Sequence, residues 1–233
     1  MSDDLAKVNA AAAALDYVKD GMMLGLGTGS TSAHFVRLLG ERVRQGLRVK
    51  GVPTSEATRT LAEQVGVPLV EISQVTRLDI DIDGADEIDP AFRLVKGGGG
   101  ALLREKIVAA ASAHMIVIAD ESKWVETLGA FPLPVEVVRF GANLTQKRIE
   151  EALRETGCAG AEVTLRTSGK SNEPVITDSG NYILDAHAKR IADPDKLAAA
   201  LKDIAGVVEH GLFIGLARTV ILGKAKGAET RSL

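Results

Sequence analysis

Side chains that could move protons around a small ligand are concentrated in residues 79–106, with the sequence DIDIDGADEIDPAFRLVKGGGGALLREK. Lys96 stands directly before four consecutive glycines, the glycine loop (residues 97–100), and Glu105 follows in a segment with a helical pattern. Consecutive glycines cost backbone entropy, so they predict that the chain passes close to a bound molecule. The stretch therefore predicts a carboxylate base, acidic partners and a cation around a ligand.

Two chemical interpretations of the second half of this stretch are open. Backbone N–H groups of a glycine loop that leads into a helix can stabilise a developing oxyanion. Lys96 could stabilise the same charge, and Glu105 could act as a base. The alternative is a surface ion pair of Glu105, because Arg104 and Lys106 are available partners.

The spacing of the aspartates at the start of the stretch is similar to that of a calcium-binding loop, but one required ligand is missing. Such a loop needs a bidentate glutamate at its twelfth position, and counting from Asp79 that position is Pro90. The alternating isoleucines instead predict a strand with one buried face. That strand would bring Asp83 to its carboxyl end, where open α/β sheets bind ligands, and Asp86 would lie in the following turn. A solvated acidic loop is the other interpretation.

A second glycine-rich segment, GLGTGST at residues 25–31, follows a short apolar run and precedes a helical pattern; we call it the hydroxyl loop. It fails the GxGxxG pattern because Ser30 occupies the third glycine position, and no Gly-Lys-Ser/Thr of a P-loop follows. Its backbone N–H groups, the helix N-terminus and the hydroxyls of Thr28, Ser30 and Thr31 would suit an anion. A tight strand-to-helix turn with hydroxyl caps explains the segment equally well.

Lys123 follows the next predicted strand, within ADESK at residues 119–123, and would lie at the same sheet edge. A lysine ammonium is a common phosphate-binding cation. The 4 histidines are scattered along the chain and show no metal-binding spacing, so the sequence predicts no metal site.

Predicted strands and helices alternate through the first half of the chain. The apolar patterns predict strands at 22–26, 48–52, 68–72, 78–82 and 114–119, and helices at 4–19, 33–44, 55–65 and 101–111. This order predicts an α/β fold with a Rossmann-like, mostly parallel sheet flanked by helices.

A boundary is predicted at FPLP, residues 131–134, because two close prolines interrupt the pattern. Beyond it we expect strands at 135–138 and 161–166, helices at 143–155 and 194–204, a polar loop at 167–173, and a hairpin of 175–177 with 182–187. These elements predict a second, smaller α+β domain of residues 131–205. Apolar strands at 207–213 and 219–222 would return to the first domain, which would then comprise residues 1–130 plus 206–233.

Composition excludes several classes of protein. Over 233 residues the net charge is −3 and aromatic residues make up 3%, so the chain lacks the basic surface and stacking side chains of nucleic-acid-binding proteins. The single cysteine, Cys158, excludes an intramolecular disulfide. The start MSDDLAKV lacks the apolar core of a signal peptide, and no apolar run approaches the length that spans a bilayer. We expect a cytoplasmic protein without membrane or nucleic-acid partners.

Taken together, the motifs resemble those of the type A ribose-5-phosphate isomerase family. The resemblance is carried by GLGTGST (25–31), DGADEID (83–89), KGGGGALLREK (96–106) and IADESK (118–123), and is extended by FPLPVEV (131–137), GNYILD (180–185) and GVV (206–208). It covers almost the whole chain, and the joint occurrence of these motifs is far more specific than any one of them.

The resemblance implies a reaction and a set of residue roles. It implies interconversion of ribose 5-phosphate and ribulose 5-phosphate without cofactor or metal, in a homodimer or homotetramer. Glu105 would transfer a proton between C1 and C2, and Asp83, Asp86 and Lys96 would handle the sugar oxygens and the enediolate; either aspartate could shuttle the hydroxyl proton. The implied substrate-binding residues, with 28–31 and Lys123 chiefly at the phosphate, are Thr28, Gly29, Ser30, Thr31, Asp83, Gly84, Ala85, Asp86, Lys96, Gly97, Gly98, Gly99 and Lys123.

Rival functions are a sugar-phosphate-sensing regulator domain, an amino-sugar-phosphate deaminase and an acyl-CoA transferase. A regulator would bind its ligand without turnover, and such proteins carry a basic helix-turn-helix segment that is not evident in this sequence. Release of ammonia or dependence on CoA would separate the two enzymes from an isomerase.

Overall fold

The computed structural model describes residues 2–169 and 172–233. The α-helices, in chain order, are α1 (Ser2–Ala14), α2 (Ser30–Arg44), α3 (Glu56–Val65), α4 (Leu102–Ala111), α5 (Ala142–Glu155) and α6 (Pro194–Lys202). The strands are β1 (Met23–Leu26), β2 (Lys50–Pro53), β3 (Ile80–Asp83), β4 (Glu87–Ile88), β5 (Leu94–Val95), β6 (Met115–Asp120), β7 (Leu133–Val137), β8 (Glu162–Leu165), β9 (Tyr182–His187), β10 (Val207–His210), β11 (Leu212–Phe213), β12 (Ala217–Gly223) and β13 (Ala228–Ser232). The predicted α/β class is confirmed.

Local sequence signals set several helix limits. The Ser55 hydroxyl caps α3 by accepting a hydrogen bond from the Thr58 N–H at 3.1 Å. Gly66 ends the same helix in the left-handed conformation, with φ 81°, which a glycine adopts without strain. Asp193 caps α6 through the Lys196 N–H at 3.0 Å, and a proline occupies the first helical position.

The first of two compact units comprises Met1–Ala85, Arg104–Trp124 and Gly215–Leu233. It holds a six-stranded sheet in the order β13-β12-β6-β3-β1-β2. Neighbouring strands are parallel except at the edge, where β13 is antiparallel to β12. This is the mostly parallel sheet that the alternating pattern predicts.

Buried strands and helix faces form the core of this unit. Leu26, Ile82 and Ile116, on neighbouring strands, are fully buried in one cluster with Phe35 of α2 and with alanines of α1 and α3. A smaller cluster of Val52, Leu78 and Val108 packs α4 against the sheet. Burial of these apolar side chains fixes the strands whose ends carry the predicted site residues.

The second unit comprises Asp86–Leu103 and Val125–Ile214. Its larger sheet is antiparallel, in the order β10-β7-β9-β8, and its smaller sheet has the order β11-β5-β4. The core joins strands and helices through side chains such as Val135, Ile149, Leu184 and Leu197, and Cys158 is buried within it.

The limits of the two compact units differ from the predicted domain limits. The prediction was one domain of residues 1–130 plus 206–233 and another of residues 131–205. Residues 86–103 belong to the second unit because β5 pairs with β11, and residues 206–214 belong to it because β10 pairs with β7. As a statement about independent domains, the predicted limits stay a prediction.

The predicted strand at 207–213 is wrong in two respects. It is divided at Gly211 into β10 and β11, and both halves pair within the second unit instead of returning to the large sheet. The Gly211 N–H donates to the Pro134 carbonyl at 2.7 Å, and a Cβ at this position would lie 2.3 Å from the Lys96 carbonyl oxygen. Close backbone approach on both sides therefore requires glycine and interrupts the strand.

Two other predicted strands shrink to single bridges. In 68–72 only Leu69 pairs, with Gly51, because Pro68 has no N–H and a 3₁₀ turn begins at Ile72. In 175–177 only Ile176 pairs, although the predicted hairpin turn forms. Strands β4, β5 and β13 were not predicted. Residues 170 and 171 of the predicted polar loop lie outside the described residues.

Among the described residues, no helix combines the length and the apolar character that crossing a membrane requires.

Candidate active site

Three neighbouring strands of the large sheet end beside predicted site residues. β1 leads into the hydroxyl loop, β3 ends at Asp83, and β6 ends at Asp120, shortly before Lys123. β3 pairs in parallel with both β1 and β6, so the carboxyl ends of the three strands meet at one sheet edge. This edge is where open α/β sheets bind ligands. The structure thus brings together residues 28–31, residues 83–85 and Lys123, as predicted.

The buried carboxylate of Asp83 ties the hydroxyl loop to β3. Its Oδ1 accepts hydrogen bonds from the Gly84 N–H at 2.7 Å, the Thr28 N–H at 3.0 Å and the Ser32 hydroxyl at 3.3 Å. A Cβ on Gly27 would lie 2.0 Å from the same oxygen, so only glycine allows this approach. Hydrogen bonds to a carboxylate are roughly twice as strong as neutral ones, so Asp83 fixes the position of the loop.

The hydroxyl of Thr28 belongs to a cluster of hydroxyl groups at the start of α3. It lies 2.7 Å from Thr54 Oγ1, 2.8 Å from Ser55 Oγ and 3.3 Å from Thr58 Oγ1. Thr58 donates in turn to the Gly27 carbonyl at 2.9 Å. The Thr28 side chain therefore holds the hydroxyl loop to α3.

The N-terminus of α2 is the exposed part of the hydroxyl loop. Its N-cap is Gly29, with φ 120°, a conformation that favours glycine, so no side chain caps the helix there. Gly29 and Ser30 are exposed, whereas Thr31 is buried. The turn is therefore not the hydroxyl-capped one of the second interpretation, and the first N–H groups of a long helix are open to an anion.

Glu105 lies in the first turn of α4 with its side chain only 3% exposed. A surface ion pair therefore does not describe this residue. Arg104, one of the partners considered, donates to Glu56 at 2.7 Å. A carboxylate near a helix N-terminus is stabilised by the helix dipole.

Lys123 ends a short 3₁₀ turn that follows β6. Asp120 begins this turn by accepting a hydrogen bond from the Ser122 N–H at 3.1 Å. Lys123 is half-buried. Its ammonium group is thus carried at the same sheet edge as the hydroxyl loop.

The remaining predicted residues belong to the second unit. Lys96 is 2% exposed; its N–H donates to the Gly211 carbonyl at 2.8 Å, and its Nζ lies 5.4 Å from the centroid of the Phe213 ring. That distance permits a cation–π attraction. Asp86 donates its N–H to the Val95 carbonyl at 2.9 Å, next to Lys96 in the chain.

The glycine loop needs its glycines for conformation and for space. Gly97 and Gly100 have φ values of 103° and 81°. Gly98 donates its N–H to Asp86 Oδ2 at 2.8 Å, and a Cβ on Gly98 would lie 2.6 Å from Asp86 Oδ1. Gly98 and Gly99 are exposed. The loop therefore combines a fixed backbone with access from solvent.

Among the described residues, no three His, Cys, Asp or Glu side chains are grouped so that they could hold a metal ion. The absence of a cofactor stays a prediction.

Comparison with known proteins assigns the family. The model of ribose 5-phosphate isomerase A (phosphoriboisomerase A) matches residues 50–227. The ribose-5-phosphate isomerase A of Nitrobacter hamburgensis is 59% identical over 227 residues, which cover 97% of both chains. That of Maricaulis maris is 56% identical over 227 residues, again 97% of both. This chain belongs to the ribose-5-phosphate isomerase A family.

Solved structures of ribose-5-phosphate isomerases share the fold. The enzyme of Methanocaldococcus jannaschii is 40% identical, with a TM-score of 0.90 over 98% of both chains. The Plasmodium falciparum enzyme is 36% identical, with a TM-score of 0.91 over 99% of both chains. A third isomerase, in complex with phospho-erythronic acid, is 39% identical, with a TM-score of 0.91 over 100% of both chains.

The ribose-5-phosphate isomerase A family interconverts ribose 5-phosphate and ribulose 5-phosphate. The predicted family, fold and isomerase activity are therefore confirmed, and the family decides against the regulator, deaminase and transferase alternatives. A sugar-phosphate substrate is supported as well.

Sequence reasoning missed the residues that support the two loops of this isomerase. Thr54 and Thr58 bind the Thr28 hydroxyl, Ser32 binds Asp83, and Arg166 donates to two carbonyls of the glycine loop. The run Thr54-Ser55 before α3 is a usable signal for hydroxyl donors, but no spacing rule connects it with Thr28.

Proposed function

We propose that this chain moves one proton between C1 and C2 of its pentose phosphate through an enediolate, with Glu105 as the base. The observation that carries the proposal is the burial of Glu105 in the first turn of α4, directly after the glycine loop, at 3% exposure. A carboxylate withdrawn from bulk water can return the proton it has taken instead of losing it to solvent.

The reaction needs a base and charge stabilisation. Glu105 takes the proton from C2 of the aldose and returns it to C1, while negative charge develops on the neighbouring oxygen. Lys96 and the glycine loop, through the Gly99 N–H, stabilise that oxyanion. Asp83 or Asp86 shuttles the hydroxyl proton. The roles of Lys96, Asp86, Gly97, Gly98 and Gly99 rest on the family motifs that contain them.

The phosphate is proposed to bind at the edge of the large sheet. The exposed start of α2 offers N–H groups and the Ser30 hydroxyl, and Lys123 follows a strand that ends at the same edge. The Thr28 hydroxyl is bound at the start of α3. We therefore propose that the Thr28 side chain supports the loop and that only the Thr28 backbone is available to the phosphate. Gly84 and Ala85 continue from Asp83 along this edge and are proposed to contact the sugar.

The ligand of one similar structure supports this chemistry. That isomerase was solved with phospho-erythronic acid. This molecule has a phosphate at one end and a planar carboxylate at the other, and the carboxylate resembles an enediolate in shape and charge. For this chain we propose two corresponding binding sites, one for the phosphate anion and one for a planar oxyanion.

Substitution of Glu105 by glutamine tests the proposal. Positioned acid–base catalysis contributes roughly 10²–10⁴-fold, so Glu105→Gln should lower kcat by about that factor and leave KM almost unchanged. Glu63→Gln, at an exposed position of α3, is the matched control and should retain wild-type kcat. A Glu105→Gln enzyme with near-normal kcat would reject the assignment.

The oligomeric state and the compartment are further proposals. We propose a homodimer or homotetramer in the cytoplasm. Oligomerisation is supported by Phe140 and Leu144 of the second unit, which expose 93% and 64% of their surface. Light scattering measures the oligomeric state, and a monomer at micromolar concentration would contradict the proposed homodimer or homotetramer. Cell fractionation tests the proposed cytoplasmic location.

A further inference from the structure

The GNYILD motif, residues 180–185, contributes to the family resemblance but has no part in the chemistry above. Its last residue, Asp185 of β9, forms a two-pronged ion pair with Arg166, which follows β8. Arg166 Nε donates to Asp185 Oδ2 at 2.8 Å, and Nη2 donates to Oδ1. The two side chains are only 16% and 15% exposed. Such a pair is well shielded from solvent and holds the guanidinium in one orientation.

The third nitrogen of the guanidinium reaches the glycine loop. Arg166 Nη1 donates to the Gly97 carbonyl at 2.9 Å and to the Gly98 carbonyl at 3.1 Å. The Gly97 carbonyl also accepts from the Gly100 N–H at 3.0 Å. One side chain therefore binds two consecutive peptide groups of the loop, across about 70 residues of sequence.

Because the peptide group is planar, this contact also sets the direction of the neighbouring N–H groups. A trans peptide is planar, and its C=O and N–H point in opposite directions. Binding of the Gly97 carbonyl therefore fixes the direction of the Gly98 N–H, which donates to Asp86 Oδ2 at 2.8 Å. Binding of the Gly98 carbonyl turns the Gly99 N–H away from Arg166 in the same manner.

We propose that Arg166 and Asp185 are positioning residues for the reaction: Arg166, oriented by Asp185, binds the Gly97 and Gly98 carbonyls, which keeps the Gly98 N–H on Asp86 and directs the Gly99 N–H towards the oxyanion. The inference rests on the proposed role of the glycine loop. Neither side chain touches substrate, and the pair acts through the loop alone.

Lysine cannot replace arginine in this arrangement. A guanidinium presents five donors in a rigid fork, so it binds a carboxylate with two nitrogens while a third reaches the two carbonyls. An ammonium group retains the charge but not the fork. Arg166→Lys is therefore the variant that separates positioning from simple charge neutralisation.

Kinetics of two Arg166 variants and one control variant test the proposal. A loop displaced by about 1 Å can cost about 10²-fold in rate, so Arg166→Ala and Arg166→Lys should lower kcat by up to that factor. KM should change by less than about twofold, because the phosphate is bound elsewhere. Arg148→Ala, which removes an exposed ion pair with Glu151 on α5, is the matched control and should leave kcat unchanged.

The double variant Arg166→Ala, Asp185→Ala separates positioning from a purely structural role. Either single alanine variant leaves one shielded charge without its partner, whereas the double variant leaves neither. We expect thermal stability to recover in the double variant while kcat stays low. If thermal stability and kcat both recovered in the double variant, the proposal would be overturned. Ethylguanidine added to Arg166→Ala should restore part of kcat.

The outcome is distinguishable from failure of the proposed function. If Glu105→Gln loses its activity while folded Arg166→Lys has wild-type kcat, the positioning role is wrong and the base assignment stands. If Glu105→Gln is fully active, the proposed function itself is wrong. Should Arg166→Ala fail to fold, Arg166→Lys, which retains the charge beside Asp185, provides the test alone.

Discussion

The hydroxyl loop of the first unit and the glycine loop of the second are both glycine-rich segments that lead into a helix, yet different side chains hold them. The hydroxyl loop is held by Asp83, which accepts from the Thr28 N–H at 3.0 Å, and by the hydroxyl of Thr58, which donates to the Gly27 carbonyl at 2.9 Å. The glycine loop is held mainly by a cation, because Arg166 donates to the Gly97 and Gly98 carbonyls at 2.9 and 3.1 Å.

This difference separates the two proposed tasks. In the first unit the exposed start of α2 is proposed to donate to a phosphate with its fixed charge. In the second unit two loop carbonyls are bound by Arg166, and the Gly99 N–H is proposed to face an oxyanion that exists only during the reaction. Changes in the glycine loop should therefore lower kcat, and changes in the hydroxyl loop should alter stability and KM.

The largest effect is expected in the glycine loop. In Gly98→Ala the new Cβ would lie 2.6 Å from Asp86 Oδ1 and 2.9 Å from Phe131 Cζ, so the loop or these two side chains must move and the contact with Asp86 is disturbed. We expect kcat to fall by about 10²-fold with little change in KM, as measured by steady-state kinetics. Gly169→Ala, where no atom lies within 4 Å of the new Cβ, is the control. A normal kcat in Gly98→Ala would contradict the claim that changes in the glycine loop, unlike changes in the hydroxyl loop, act on kcat.

In the hydroxyl loop, Gly27→Ala should act mainly on stability. Its Cβ would lie 2.5 Å from the Asp83 Cα, a backbone atom that cannot swing away. Overpacking of this kind costs about 1–3 kcal/mol, measurable as a lower midpoint of urea unfolding. The comparison would fail if Gly27→Ala were as stable as the wild type.

Removal of the proposed phosphate cation should have a smaller effect, confined to binding. Lys123→Ala loses one charge-assisted hydrogen bond, worth about 1.5 kcal/mol, so KM should rise about tenfold at unchanged kcat. Inhibition by inorganic phosphate should weaken in parallel. Lys202→Ala, on the exposed face of α6, is the control. Unchanged phosphate inhibition in Lys123→Ala would exclude this role.

The smallest effect is expected outside both loops. Lys224 and Arg231 lower the pKa of Glu229 from its ordinary value of 4.5 to about 2. A carboxyl whose folded-state pKa is lowered stabilises the protein above the ordinary value, and this contribution is lost as the pH falls towards about 2. The Glu229 side chain is 38% exposed and its ion pairs are screened by solvent, so Glu229→Gln should be only slightly less stable at neutral pH. The difference should vanish in acid, and a gap that persists to about pH 2 would contradict this pKa.

The same two regions show what sequence alone could predict. The hydroxyl loop and Asp83 were predictable because strand, loop and helix follow one another, and parallel strands bring their carboxyl ends to one edge. The Asp83–Ser32 contact was not predictable, since it joins residues 51 positions apart and depends on strand order.

The surroundings of the glycine loop were harder to predict. Strands β4 and β5 are two residues long, too short to show periodicity, and β13 alternates exposed and half-buried residues as a polar edge strand. Arg166 meets Gly97 across 69 positions because β8 pairs with β9 in the second unit. No local pattern encodes that pairing, so the residues that hold the loop were missed although the loop itself was found.

The fate of the C2 hydrogen tests the central claim most directly. Ribose 5-phosphate deuterated at C2 is incubated with the wild type and with Glu105→Gln, and loss of deuterium to solvent is followed together with product formation. If Glu105 moves the proton, the wild type shows a primary isotope effect and releases part of the label, and Glu105→Gln releases it at least about 10²-fold more slowly. Release of the label by Glu105→Gln at the wild-type rate would contradict the account.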